Sequence, residues 1–282
     1  MGYKKRKIGG LIENFSTPLK DADIHDLNKY KWPLIDDDGR IRGLKERAEF
    51  LFKKTDYAIA ARSVSHGFFE LAWELRSMDG LMIDMHFNKQ FVNKILDKTL
   101  KVQMQLYKLL LDNVGNFIQI VETADDYGTQ NGLMISPEMF RSFIKPRRRE
   151  LNFMLHDLAP NAKIFHHTCG SVYDIIEDLI EIGIDILNPI QPLAKNMNSE
   201  KLKSEFGKRL CFHGGIDLQQ ALRGSGENLE LEIQRRINAF AGGGGYIIAP
   251  TSNFQDDIPI ENIFLFIKAS KKHGIYLKKK QN

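Results

Sequence analysis

A histidine and a cysteine two positions apart, His167 and Cys169, form a ligand pair that zinc favours. They end a short apolar run that begins at Lys163 and is typical of a β-strand. Side chains two apart on an extended segment point to the same side. The pair therefore predicts a zinc site with His167 and Cys169 as ligands, and with His167 as a catalytic residue. The alternative is that both are buried strand-end side chains satisfied by local hydrogen bonds.

Two further residues of these types are assigned structural roles. His166 alternates to the opposite side of the strand from His167. Cys211 lies within another predicted strand, where a thiol packs as a small apolar side chain. The chain has 2 cysteines, so free or metal-bound sulfur in a reducing compartment is expected rather than a disulfide.

Three acidic residues, Glu122, Asp125 and Asp126, follow the preceding predicted strand and precede a glycine turn. Carboxylates in this position could supply a metal ligand, a general acid or a partner for positive charge that develops on a substrate. We predict catalytic roles for Glu122 and Asp126 and substrate-binding roles for Asp125 and Tyr127. The alternative is a capping and turn-forming loop.

A third polar strand end begins at His213 and continues with Gly214 and Gly215. The backbone N–H groups of glycines allow an anionic group to approach closely. We predict that His213, Gly215 and Asp217 bind substrate. Asp217 also has the position of a cap for the segment that follows.

The elements that must position these residues alternate along the chain. Helices are predicted at Gly43–Lys54, at Phe68–Met78, from the N-cap Asn88, from Ser136, and at Val172–Ile182, Ser199–Phe206, Glu227–Phe240 and Pro259–Lys272. Strands are predicted at Tyr57–Ala61, Phe117–Val121, Lys163–His167, Ile184–Leu187, Arg209–His213 and Tyr246–Ala249. Strands alternating with helices at this spacing indicate βαβ units and a parallel sheet.

Polar or turn-forming residues follow most of these strands, and a closed barrel gathers all such strand ends on one face. The sequence therefore predicts an α/β fold of the TIM-type (β/α)8 barrel class. About six strands are recognisable where such a barrel has eight, so the N-terminal part is shortened or irregular. We expect a single domain over residues 1–282, with an N-terminal extension of loops at 1–50 and the barrel at 51–275.

Composition limits the function classes. With 43% hydrophobic and 27% charged residues, the chain has the composition of a globular enzyme. A formal charge of +4 is small for 282 residues, and no nucleic-acid-binding signature accompanies it. No apolar stretch approaches the roughly 20 residues that span a bilayer, and no signal-peptide core is present. A cytoplasmic protein without nucleic-acid or membrane partners is expected.

Several linked stretches resemble the uroporphyrinogen decarboxylase superfamily, in particular its branch of cobalamin-dependent methyltransferases and decarboxylase-like proteins. In chain order they are Asp125–Gly132, Ile135–Phe140, Phe143–Arg147, His167–Gly170, Phe212–Asp217 and Gly244–Pro250. The likeness covers roughly Tyr57 to Gly274 and implies a (β/α)8 barrel with its site at the carboxyl ends of the strands.

The resemblance also implies a ligand set. The methyltransferase branch binds zinc through a His-x-Cys pair, which His167 and Cys169 match, and through a later cysteine after the last strand. Here Thr251 and Ser252 occupy that place, and both are predicted to bind substrate. Catalytic zinc usually takes three protein ligands, so the third could be Glu122. The arginine-rich N-terminal loop of true uroporphyrinogen decarboxylases is not recognisable in residues 1–50.

The first hypothesis is a corrinoid-linked methyltransferase that moves a methyl group between a small-molecule substrate and a corrinoid protein, or a thiol or folate acceptor. Its implied cofactors are zinc and a corrinoid supplied by a partner protein. The second is a cofactor-free decarboxylase of a tetrapyrrole or related carboxylate, with Asp126 as the polarising group. The third is a non-catalytic barrel that binds a corrinoid or porphyrin. A homodimer is compatible with each.

Overall fold

The computed structural model of this chain describes residues 5–8, 11–14, 17–35 and 38–275. They divide into two compact units. The first unit holds the described residues up to Asp126, together with Ile135–His166 and Glu181–Ile184. The second unit holds Tyr127–Met134, His167–Ile180 and the described residues from Asp185 onward. Within the predicted N-terminal extension, residues 1–4, 9–10, 15–16 and 36–37 lie outside the described part.

The strands are short and mostly parallel. They are β1 (Lys5–Ile8), β2 (Leu11–Asn14), β3 (Ala60–Ala61), β4 (Ile120–Ala124), β5 (Gly128–Thr129), β6 (Gly132–Leu133), β7 (Lys163–His167), β8 (Ile186–Ile190), β9 (Cys211–Ile216) and β10 (Tyr246–Pro250). In the first unit, β3 pairs in parallel with β4. In the second, β9 pairs in parallel with both β8 and β10. The pairs β1 with β2 and β5 with β6 are antiparallel. The predicted parallel pairing is confirmed.

Helices connect the parallel strands. They are α1 (Ile24–Lys29), α2 (Leu44–Lys54), α3 (Phe68–Arg76), α4 (Met78–Phe87), α5 (Lys89–Val114), α6 (Pro137–Met139), α7 (Lys145–Leu158), α8 (Ile176–Glu181), α9 (Ser199–Phe206), α10 (Gly226–Phe240) and α11 (Ile260–His273). A π-helical segment, Phe140–Ile144, joins α6 to α7. Among the described helices, none combines the length and the apolar character needed to cross a membrane.

The helix predicted from the N-cap Asn88 is confirmed as α5, which has 26 residues. Asn88 is its N-cap, and the backbone N–H of Phe91 donates to the Asn88 side-chain oxygen at 3.3 Å, which satisfies one of the helix's unpaired N–H groups. The residues that recur at three and four positions from Phe91 onward form its buried face.

The helix predicted over Phe68–Met78 is confirmed as α3, which ends at Arg76, and a second helix, α4, begins at Met78. Ser77 has φ of 84°, a left-handed conformation that ends α3, and its hydroxyl then accepts from the N–H of Gly80 to cap α4 at 3.2 Å. The sequence did not predict α4 because its apolar residues do not recur on one face.

Four predicted strands begin later than expected. The strand predicted from Tyr57 starts at Ala60. The segment Gly115–Phe117 forms a 3₁₀ turn, so the strand predicted from Phe117 starts at Ile120. The strand predicted at Ile184–Leu187 runs over Ile186–Ile190, and that predicted from Arg209 starts at Cys211. Because β8 extends to Ile190, Asn188 lies inside this strand instead of following it.

Candidate metal centre

The end of β7 brings His167 and Cys169 together. The strand alternates, with Ile164 and His166 buried and His167 on the other, partly exposed side. The Sγ atom of Cys169 lies 3.5 Å from Nε2 of His167. The predicted same-side placement of the pair is confirmed. Sulfur and imidazole nitrogen at this separation present two donor atoms to the same point.

Asn188, a buried residue in the interior of β8, orients the imidazole of His167. The Nδ1 atom of His167 lies 2.6 Å from the Oδ1 atom of Asn188. An amide oxygen only accepts, so Nδ1 carries a proton and, in the neutral ring, Nε2 carries the lone pair. The lone pair therefore lies on the nitrogen next to Cys169. No local sequence pattern assigns this role to Asn188, because the role depends on a tertiary contact.

The NH₂ group of the Asn188 side chain contacts His213 on β9. The Nδ2 atom of Asn188 lies 2.7 Å from Nδ1 of His213. Burial, together with the nearby His167, lowers the pKa of His213 to about 4, so this ring is neutral at pH 7. The predicted site residue His213 is thus connected to His167 through one side chain.

The glycines after His213 meet a packing requirement. Gly214 has φ of 114° and Gly215 has φ of 88°, a region that favours glycine. A Cβ added at Gly214 would lie 2.9 Å from the backbone nitrogen of Ile190, and one at Gly215 would lie 3.0 Å from the hydroxyl of Tyr246. Close approach of neighbouring chain segments thus accounts for both glycines, and anion binding by Gly215 stays a prediction.

His166 has the structural role that the alternation predicts. Its side chain is fully buried, and its Nδ1 atom lies 2.8 Å from the hydroxyl oxygen of Thr123 on β4. The hydroxyl of Thr123 also donates to the backbone oxygen of Phe165 at 3.2 Å. His166 therefore belongs to the packing of β4 and β7.

Two side chains of the second unit have the chemistry of a metal centre. They are His167 and Cys169, whose Nε2 and Sγ atoms lie 3.5 Å apart. The chain is anchored beside them, because the N–H of Tyr127 donates to the Thr168 hydroxyl at 3.0 Å. Imidazole nitrogen and thiolate sulfur are both zinc ligands, so this pair fits zinc. Asp126 belongs to the first unit, and its predicted catalytic role stays a prediction.

Glu122, the predicted third ligand, has a different partner. Its Oε2 atom lies 2.7 Å from Nε of Arg62, and its backbone oxygen accepts from the hydroxyl of Tyr107 at 2.7 Å. The cation beside it compensates its charge. Its predicted catalytic role stays a prediction.

Asp125 is a buried structural residue. Its Oδ2 atom lies 2.8 Å from Nη2 of Arg148, and both side chains are 0% exposed. Its carboxylate also accepts from the backbone N–H groups of Phe69 at 3.2 Å and Glu70 at 2.9 Å, in the first turn of α3. Burial raises the pKa of Asp125 to about 6, against the opposing effect of Arg148. These contacts use both carboxylate oxygens of Asp125 within the protein. Its predicted substrate-binding role stays a prediction.

Glu70 is a titratable group that no sequence pattern identifies. It is partly buried in the first turn of α3. Burial first, and then the charges of Asp125 and Asp126, raise the pKa of Glu70 to about 8. At neutral pH it holds a proton beside Asp126. Only the tertiary structure reveals this, because Glu70 and Asp126 are far apart in sequence.

The remaining predicted substrate-binding residues are spread over the second unit. Tyr127 is fully buried. Asp217 accepts from the N–H groups of Gln219 at 3.0 Å and Gln220 at 2.7 Å, so it caps the following turn. The hydroxyl of Thr251 accepts from the N–H of Leu218 at 3.3 Å, whereas Ser252 is exposed. The carboxylate of Asp217 and the hydroxyl of Thr251 thus bind backbone N–H groups.

Known proteins are similar to this chain in sequence family and in fold. The family model described as uroporphyrinogen decarboxylase (URO-D) matches residues 12–273. A solved structure, a methyltransferase from Methanosarcina mazei, is similar with a TM-score of 0.70 and 19% sequence identity, covering 98% of this chain and 77% of that chain. Among curated proteins, none matches significantly in sequence. The family match and the shared fold confirm the predicted α/β barrel of the TIM type.

Proposed function

This chain belongs to the uroporphyrinogen decarboxylase family, and on that premise we propose that it is a zinc-dependent methyltransferase. It transfers a methyl group between a small-molecule substrate and a corrinoid protein, or a thiol or folate acceptor. The observation that carries the proposal is the pair of His167 and Cys169, whose Nε2 and Sγ atoms lie 3.5 Å apart. The methyltransferase named among the solved structures of the same fold favours methyl transfer.

The ligand pair fits the metal. His167 supplies one nitrogen and Cys169 supplies one sulfur, and both atoms are usual ligands of catalytic zinc. When bound here, zinc would act as a Lewis acid that lowers the pKa of a substrate thiol or polarises the oxygen of a methyl donor.

The protein's own groups prepare the site for this chemistry. The Oδ1 atom of Asn188 lies 2.6 Å from Nδ1 of His167 and accepts from it, which in the neutral ring keeps the Nε2 lone pair beside Cys169. The Cys169 thiolate supplies negative charge that partly balances a dication.

Metal analysis tests the ligand assignment. Protein purified without chelator, or reloaded after chelation, is expected to contain about one zinc per chain. Cys169→Ser is expected to lose most of it. Cys211→Ser is the matched control, because Cys211 is the chain's other cysteine and its Sγ contacts its own strand's backbone at 4.0 Å. Zinc absent from the reloaded wild type, or unaffected by Cys169→Ser, would contradict the ligand assignment.

Turnover tests the reaction. Methylcobalamin with a small thiol acceptor is the simplest probe, since demethylation changes the cobalamin absorbance. We expect the wild type and Cys211→Ser to accelerate demethylation and Cys169→Ser to leave it near the uncatalysed rate. Zinc binding without any acceleration, over a series of thiols and methyl donors, would favour the non-catalytic hypothesis.

Decarboxylation is the second candidate function, because the matching family model is that of uroporphyrinogen decarboxylase. In this reaction Asp126 would be the polarising group. Turnover of uroporphyrinogen by metal-free protein, abolished by Asp126→Asn and retained by Cys169→Ser, would favour this candidate over methyl transfer.

A further inference from the structure

The side chain of Asn188 links two histidines of the second unit. Asn188 is 8% exposed, with Oδ1 at 2.6 Å from Nδ1 of His167 and Nδ2 at 2.7 Å from Nδ1 of His213. Its backbone oxygen accepts from the N–H of Thr168 at 2.7 Å. The residue is therefore held in the sheet by its main chain, and its amide is left to contact the two rings.

The two ends of an amide make different demands on a ring nitrogen. The oxygen accepts, so Nδ1 of His167 must carry a proton and Nε2 must carry the lone pair. The NH₂ group donates, so Nδ1 of His213 must carry the lone pair and its proton must lie on Nε2. One side chain thus requires opposite tautomers of two histidines.

We propose that Asn188 is the positioning residue that sets opposite neutral tautomers of His167 and His213. It gives His167 an Nε2 lone pair suited to a metal ion and gives His213 an Nε2–H suited to a hydrogen-bond acceptor. The metal part of this inference rests on the proposed function, whereas the tautomers exist without metal. A substrate atom that contacts His213 must then be an acceptor, such as a carboxylate, carbonyl or ether oxygen.

The variant Asn188→Asp distinguishes the hydrogen-bond directions that Asn188 imposes from its contribution to packing. Aspartate has nearly the same shape as asparagine, but both of its oxygens accept. It keeps the hydrogen bond from Nδ1–H of His167 and can bond His213 only if that ring also carries its proton on Nδ1. Asn188→Asp should therefore leave the His167 tautomer unchanged and invert the His213 tautomer.

Nuclear magnetic resonance of metal-free protein labelled with ¹⁵N-histidine reads the tautomers directly, with His167→Gln and His213→Gln to assign the two rings. We expect Nδ1–H on His167 and Nε2–H on His213 in the wild type. Asn188→Asp should move His213 to Nδ1–H, and Asn188→Ala should leave both rings as mixtures. Asn198→Asp is the charge-matched control, because Asn198 is an exposed cap of α9 and aspartate caps equally well.

Zinc affinity, measured by competition with a chromophoric chelator, gives the second readout. Loss of a residue that orients a ligating histidine typically weakens metal binding 10- to 100-fold, and this is expected for Asn188→Ala. Asn188→Asp should bind zinc within about tenfold of the wild type, because a carboxylate also orients such a histidine.

The outcomes separate the two proposals. The same tautomer on both histidines of the wild type, or a His213 tautomer unchanged in Asn188→Asp, would overturn the inference. Opposite tautomers that invert as expected, in a protein that binds no zinc, would support the role of Asn188 and contradict the proposed metal function.

Discussion

Arg148 and Asp125 form a fully buried ion pair, with Nη2 of Arg148 at 2.8 Å from Oδ2 of Asp125 and 0% exposure on both side chains. The guanidinium carbon of Arg148 also lies 4.8 Å from the centre of the Phe68 ring. The pair fixes the N-terminal turn of α3 to the segment that leads to Asp126. Structural and proposed catalytic carboxylates are therefore adjacent in this chain.

Arg148→Met should be strongly destabilising. Removing one partner of a buried pair leaves the other charge unpaired, which typically costs about 3–5 kcal/mol. Urea denaturation should show this loss in the free energy of unfolding. The control is Arg209→Met, which breaks an ion pair with Glu177 whose side chains are 48% and 50% exposed and should cost about 1 kcal/mol or less. Equal effects of the two substitutions would contradict the assigned role of the buried pair.

Glu70 should make stability depend on pH between about 5 and 8. The unfolded chain loses the Glu70 proton near 4.5, whereas burial and the neighbouring Asp125 and Asp126 raise the native pKa to about 8. The native state therefore binds more protons in this window, and its stability falls as the pH rises. Glu70→Gln should flatten this fall, so its stability advantage over the wild type grows from pH 5 to pH 8.

Glu177→Gln is the control for this pH series. The hydrogen bond from Arg209 lowers the pKa of Glu177 below its usual value of 4.5, so its contribution is present above pH 4.5 and is lost only as the pH falls below that value. Arg209 keeps its charge throughout the series. The slope of stability between pH 5 and 8 should be the same as in the wild type. A Glu70→Gln slope identical to that of the wild type would show that Glu70 titrates normally.

Gly67→Ala should be destabilising for a steric reason. Gly67 has φ of −60°, which alanine adopts freely, but an added Cβ would lie 1.9 Å from Cγ of Asp125. Overpacking of this kind typically costs about 1–3 kcal/mol, and thermal unfolding should show a lower midpoint. Gly242→Ala is the matched control, since nothing lies within 4 Å of its added Cβ. A midpoint unchanged in both variants would mean that Asp125 moves away without cost.

Zinc should stabilise the folded protein if His167 and Cys169 are ligands. A ligand that binds only the native state at 100 times its dissociation constant adds about 2.7 kcal/mol. The thermal midpoint of the wild type and of Cys211→Ser should rise with zinc and return to its starting value with a chelator. That of Cys169→Ser should not respond, and a rise of equal size in this variant would place the metal elsewhere.

Local sequence patterns predicted most of the elements but not their limits. Asn88 and Ser136 were identified as caps because their side chains satisfy nearby N–H groups, which is a local property. The strand limits near Ile120, Ile186 and Cys211 were wrong by two or three residues, because pairing with neighbouring strands decides where a strand begins.

The sequence by itself determined the His167 and Cys169 pair, since alternation along one strand places both side chains on the same side. It also determined that His166 faces the other way. The hydrogen-bond partner of the pair was decided only by tertiary structure. Asn188 comes from another strand, and a single sequence carries no signal for which distant amide will meet a given imidazole. Packing of the parallel strands brings the Asn188 amide within hydrogen-bond distance of His167 and His213, and this contact assigns the proton of each neutral ring.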